Sequence, residues 1–289
     1  MPSFPPFAVL DACGHEGVCD CLDSLDYANE TPVERKQRMW IHHAGKALQS
    51  WYAAYAERVY NFEIEVVEAA GEVLHVHGIV QPIGTAKALP AWFPEQERLR
   101  VLMFQQCNLS LGITRGVVRL FEDSYDSPLT HVGILRVQSP EFERYVALHP
   151  SCGMVIQNSD TDHVSWIMVT KDGTEYVQDI TGAQVGLEAV TYLRDDYLSS
   201  KCVSAWKARE FPADAECEAL VEAAIKGDEL QLFHAHAGQR FFEIVKAFMH
   251  EEQGFLHLEN GDFEEALVKS TTRVWDGMGL YMASLPTNV

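Results

Sequence analysis

His163-Val-Ser-Trp-Ile-Met-Val-Thr-Lys-Asp172-Gly173-Thr-Glu-Tyr-Val-Gln-Asp179-Ile-Thr-Gly-Ala-Gln184-Val-Gly186 sets a histidine and an aspartate on two runs rich in β-branched and aromatic residues. Asp172-Gly173 is a hairpin turn signal, and strands prefer the residue types that flank it. A hairpin centred there predicts that His163 and Asp179 stand near the open ends of neighbouring strands. A carboxylate so placed can fix the orientation of an imidazole, as a base and its orienter require. The pair reads equally as a structural hydrogen bond between strand ends. Gly186 serves a turn that needs positive φ, and Gln184 either caps a loop or meets a substrate carbonyl. Trp166 reads as core or, with Trp92 or Phe93, as the wall of a cleft.

Outward from the hairpin, Thr31-Pro-Val-Glu34 has the form of a capping box with proline at the first helical position. The apolar spacing from Met39 to Tyr60 continues that helix, long and half buried. Phe62–Val67 and Val73–Ile79 flank Ala69-Ala-Gly-Glu72 as a second hairpin, and Pro82 to Pro94 reads as a loop. From Pro94 the pattern predicts a helical run leading through Gln105-Gln106-Cys107 without a turn residue, with Gly112 and Gly116 as candidate breaks. Ser139-Pro-Glu-Phe-Glu143 predicts a short helix to about Leu148, followed by a turn around Asn158-Ser-Asp160. From Cys217 the pattern is helical, near 215–226, 229–250 and 262–284. The whole predicts an α+β chain, a mostly antiparallel sheet packed by helices. It divides into a Cys-rich arm over 1–30, an α+β core over 31–205 and a helical region over 206–289 packed on that core.

A histidine opening one strand, a G-x-x-Y hairpin (Gly173 to Tyr176) and then D-I-T-G-A-Q-x-G from Asp179 to Gly186 resemble the His and Asp half of the transglutaminase-like branch of the papain-type cysteine fold. The stretch is more closely similar to a group of fungal proteins of unassigned function that often carry a MYND-type zinc finger. The resemblance spans residues 33–205 and is clear over 163–186. It implies a transglutaminase-like core in which His163 is the base and Asp179 its orienter.

Completing such a set needs a thiol. A cysteine titrating near 8.5 in water is a poor nucleophile at neutral pH, and an imidazolium or a helix amino terminus makes its thiolate accessible. With Cys107 as nucleophile, His163 moves the proton, and Gln106 joins the Cys107 amide at the oxyanion. Against this, a mid-helix thiol lacks exposed amide donors, and free cysteine is among the most buried residue types. Cys152, in a loop between His149-Pro-Ser and Gly153, is the rival thiol near a substrate. The readings that follow are cysteine-dependent acyl transfer or amide hydrolysis on a small-molecule or peptide substrate, amide formation with an amine acceptor as in secondary metabolism, and a catalytically silent scaffold.

Cys13-Gly-His15-Glu-Gly-Val-Cys19-Asp-Cys21 gathers four soft ligands within nine residues and is the one candidate for a cofactor, zinc. Its C-x-H-x3-C-x-C spacing departs from the two separated pairs usual in structural zinc sites and from the MYND pattern. His75 and His77 alternate on one strand and share a face, whereas His234 and His236 on a helix point about 200° apart.

Against 42 acidic residues stand 22 basic ones, a formal net charge of −20, so nucleic-acid backbones and anionic membranes are repelled, and the acidity either keeps the protein in solution or attracts a cationic substrate. No apolar run reaches the roughly 18 residues of a membrane span, and no secretory leader pattern opens the chain. With seven scattered cysteines, an odd number, a reducing, cytoplasmic setting is the expectation. No glycine-rich phosphate loop, HExxH sequence or G-x-S-x-G elbow is present, which argues against nucleotide-dependent, zincin and serine-hydrolase chemistry.

Overall fold

Thr31 opens the longest helix by the predicted route. Its backbone N–H donates to Glu34 Oε2 (2.7 Å), while its hydroxyl oxygen accepts from the Glu34 N–H (3.3 Å), and Pro32 takes the first helical position. The computed structural model describes residues 30–285, apart from 72, 86–88, 91, 94, 105, 139–144, 154, 158–161, 186, 188 and 200–203. The Cys13, His15, Cys19 and Cys21 zinc candidate, Gly186, the Ser139 helix start and the Asn158 turn lie outside the described residues.

This helix, α1 (Pro32–Val59), is enclosed rather than half buried: most residues from Trp40 to Val59 are buried. Helix α7 (Asn260–Ser284) and the short turn Phe255–His257 cover one side, where Trp51 stacks on Phe255 and donates its indole N–H to Ser270 Oγ (2.9 Å). Helices α2 (Glu95–Met103) and α3 (Cys107–Glu122) also pack on it. From Trp40 onward this helix is the axis of the main core.

Two sheets flank that axis. The first has the order β1-β2-β4-β5, with β1 (Phe62–Ala70), β2 (Val73–Val80), β4 (Tyr145–Pro150) and β5 (Ile156–Gln157). The second has the order β8-β7-β6-β3-β9, with β3 (Leu129–Gln138), β6 (Asp162–Thr170), β7 (Glu175–Gln178), β8 (Thr191–Leu193) and β9 (Ser204–Pro212). Antiparallel pairing dominates, and the architecture is α+β. The exception is β2 with β4, which run parallel.

Three features differ from the sequence reading. Residues 145–148, expected to end a helix, lie in β4, because pairing with β2 buries Val146 in the small core with Leu74 and Val76. The helical run from Pro94 is two helices, broken before Cys107, while Gly112 and Gly116 lie inside α3 against α5 (Ala215–Ile225) and α6 (Glu229–Glu251). Strand β9 crosses the expected 205/206 boundary and pairs with β3. Phe241, Phe248, Phe263 and Leu267 of the carboxyl-terminal helices share one core with α1 and the five-stranded sheet.

The Asp172 hairpin closes as expected: β6 and β7 pair from Trp166 opposite Gln178 to Val169 opposite Glu175. Asp172 Oδ1 accepts from Thr170 Oγ1 (2.5 Å) and the Thr174 N–H (3.0 Å), and Gly173 takes φ +85°. No described helix is long and apolar enough to cross a membrane.

Candidate active site

Cys107 is the first residue of α3. Helix α2 tightens at its end, with the Phe104 N–H donating to Val101 O (3.3 Å) and the Gln106 N–H to Met103 O (3.0 Å). Gln106 then leaves helical geometry (φ −99°, ψ 3°), and a new helix starts as the Ser110 N–H donates to Gln106 O (2.7 Å). Met103 belongs to the main core and Phe104 to the small core under the four-stranded sheet. Adjacent side chains claimed by different cores force the chain to turn where no glycine or proline marks it. The Gln106 side chain does not cap α3, and no acidic residue stands in its first turn. The half-buried thiol stands at the amino-terminal end of α3.

Opposite it, His163 Nε2 and Asp179 Oδ2 are 2.7 Å apart, and the His163 ring is also hydrogen-bonded to the Cys107 side chain. With Nε2 committed to the carboxylate, Nδ1 is the nitrogen left for sulfur. His163 is 3% exposed and Asp179 0%, so only the thiol end of the set reaches water. Burial works against a charged imidazole, but the Asp179 charge and hydrogen bond, aided by Cys107, outweigh it and push the His163 pKa up to about 10.

Asp179 is held from several sides. Its backbone N–H donates to Val190 O (2.8 Å), and Tyr197 of α4 (Arg194–Ser199) donates its hydroxyl to Oδ2 (2.9 Å). A β-carbon on Gly182 would stand 3.1 Å from Asp179 Cγ, so the chain after Asp179 folds close over the carboxylate. The preceding residue, Gln178, donates through Nε2 to Ile41 O of α1 (3.0 Å) and accepts through Oε1 from Thr191 Oγ1 (2.7 Å). Gln106 Oε1 accepts from Tyr52 OH (3.0 Å), which turns the amide nitrogen into the donor end of that side chain. Burial pushes the Tyr52 phenol pKa well up, so it remains a donor.

The structure thus brings Cys107, Gln106, His163 and Asp179 together and separates the other candidates from them. Trp166 is fully buried in the main core, and its indole N–H donates to Thr114 Oγ1 of α3 (3.1 Å); it walls no cleft. Cys152 is exposed in the turn after β4, on the other sheet, while the sulfur that meets His163 is that of Cys107. Gln184 is buried in a 3-10 turn, Gly182–Val185, packed against α2. Cys217 lies in a shallow groove with Arg119, Val221 and Ile225, where burial pushes its thiol up, away from reactivity. Sequence reasoning missed Tyr52, Tyr197 and Gly182, since a tyrosine inside an apolar helix and one 18 positions past Asp179 carry no spacing signal.

His75 and His77 do share a face, and the parallel β2–β4 pairing sets His149 beside them. His75 Nδ1 lies 2.8 Å from His149 Nε2, and the His77 and His149 rings stack at 4.3 Å. Among the described residues no group of three or more His, Cys, Asp or Glu side chains is arranged to hold a metal ion. In comparison with known proteins, the chain matches no family model, no curated sequence and no solved structure.

Proposed function

We propose that the protein is a cysteine-dependent acyltransferase or amidohydrolase. Cys107 is its nucleophile, His163 its acid and base, and Asp179 the orienter; the Cys107 N–H and the Gln106 amide are the oxyanion donors. One observation carries this reading: Cys107 opens a helix and its side chain is hydrogen-bonded to the histidine whose other nitrogen is on Asp179. That arrangement meets the needs of an activated thiol through geometry, charge and helix polarity at once.

In the first step the Cys107 thiolate attacks a carbonyl carbon, and the oxygen becomes an anion facing the two donors. Collapse breaks the bond to the leaving amine or thiol, which takes the proton from the His163 imidazolium. Water or an amine then attacks the thioester, gives its proton to His163 and expels Cys107 as thiolate. The half-buried thiol beside a sealed base suits an acceptor that excludes water, and the net charge of −20 suits a cationic amine.

Limited alkylation with iodoacetamide, mapped by mass spectrometry, tests the assignment. Cys107 is labelled faster than Cys152 despite the greater exposure of Cys152, and Cys107→Ala abolishes both this label and acylation by an activated aryl ester. Labelling that follows exposure alone would return the fold to a silent scaffold. Adding an amine to the acylated protein then separates transfer from hydrolysis by product mass.

A further inference from the structure

Oδ2 of Asp179 takes two hydrogen bonds, from His163 Nε2 (2.7 Å) and Tyr197 OH (2.9 Å), whereas Oδ1 is buried with no hydrogen-bond partner among the described residues. The phenol in turn lies 3.1 Å from Ser165 Oγ, and Ser165 stands two residues from His163 on the same side of β6. A phenol has one hydrogen to give, and a carboxylate can only accept. With that hydrogen spent on Asp179, the contact with Ser165 has one direction: the serine hydroxyl donates to the tyrosine oxygen. Donation runs from Ser165 to Tyr197 to Asp179 Oδ2, which also accepts from His163 Nε2 on the side toward Cys107.

We propose that Tyr197 is a positioning residue of this site, the second anchor that locks the Asp179 carboxylate with Oδ2 toward His163 and holds its charge there. The assignment rests on the acyl-transfer reading above and adds to it a member that touches neither substrate nor sulfur. Any rotation short of a half-turn that carries the shared oxygen away from His163 also breaks its bond to a buried phenol, so the tyrosine stiffens the carboxylate in the plane that His163 needs. Because both donors converge on one oxygen, the tyrosine acts on the His163 bond through orientation and not by strengthening it. Tyr197 is 0% exposed and packs with Leu135, Val137, Ile167 and Val177, a rigid mount. Tyr192, tilted against it at 5.7 Å, is the other titratable ring beside it. Burial, followed by the Asp179 charge, pushes the Tyr197 phenol well above its ordinary range, so it stays a donor throughout the working pH range.

The test compares wild type with Tyr197→Phe and Ser165→Ala by two readouts, each on protein whose thermal unfolding shows it folded. In Tyr197→Phe the pH profile of Cys107 alkylation moves upward, and the rate near pH 6 falls by roughly three- to tenfold. The far-downfield N–H proton resonance of His163, characteristic of an imidazole donating to a carboxylate, shifts or broadens in the same variant. Ser165→Ala keeps the phenol and shows a smaller change in the same direction; should Tyr197→Phe fail to fold, Ser165→Ala carries the test. A folded variant with an unchanged resonance and a superimposable profile overturns the positioning role, because a packing residue would alter stability alone. If wild-type Cys107 has no selective reactivity, the acyl-transfer reading fails, and the resonance still decides whether Tyr197 positions Asp179.

Discussion

Gln178 lies against the bare α-carbon of Gly45. A β-carbon there would stand 2.0 Å from Gln178 Oε1 and 2.4 Å from Thr191 Oγ1. This close approach ties the residue immediately before Asp179 to the central helix. Gly45→Ala is therefore expected to displace a fully hydrogen-bonded, buried amide and to cost roughly 3 kcal/mol or more of stability. Chemical denaturation measures it. A loss below about 1 kcal/mol would mean that β7 and α1 are not coupled through this contact.

The His163 imidazole also makes stability depend on pH. Burial opposes its charge, yet Asp179 and Cys107 raise its folded value to about 10, above the roughly 6.5 of a free histidine. A raised folded value gives stability that is fully present below the free value and is lost as pH rises through the folded one. Wild type is expected to lose stability between about pH 6.5 and 10, and His163→Gln to show a flatter profile over that window. Parallel denaturation curves at several pH values isolate the difference from the tyrosines and lysines titrating nearby.

Tyr52→Phe removes the hydroxyl that holds Gln106 Oε1. Gln106 then loses its fixed orientation, and stabilisation of the oxyanion weakens. Acylation by an activated aryl ester is expected to fall by roughly tenfold or more, while alkylation by iodoacetamide, which forms no oxyanion, stays near the wild-type rate. Equal losses in both reactions would assign Tyr52 to packing.

Asp179→Asn keeps the shape and removes the charge that supports the imidazolium. Cys107 alkylation at neutral pH should fall by at least about tenfold, and the protein should lose about 3 kcal/mol of stability because a buried charge pair is broken. Rate and denaturation midpoint measured on the same preparation check both. An unaltered alkylation rate would show that His163 is oriented without its carboxylate.

Much of this architecture can be read in the chain. The capping box at Thr31, the Asp172-Gly173 turn and the periodicity of the three carboxyl-terminal helices are local signals, and each element stands where those signals put it. Elements without local signals went astray. Residues 145–148 form a strand because β2 offers a parallel edge far away in sequence, and the break before Cys107 comes from two cores pulling on Met103 and Phe104. Whether Trp166 is core or cleft is decided by α3, which covers it and accepts its indole N–H at Thr114.

By itself the sequence determined that a histidine stands on one strand of a hairpin and an aspartate directly after the other, because the turn chemistry at Asp172-Gly173 sets that register. Only the tertiary structure decided which sulfur meets them, and that Tyr52 and Tyr197 hold Gln106 and Asp179 in place. Strand pairing is encoded by neighbours along the chain, whereas the meeting of α3, β6 and α4 depends on side chains dozens of residues apart burying the same apolar surface.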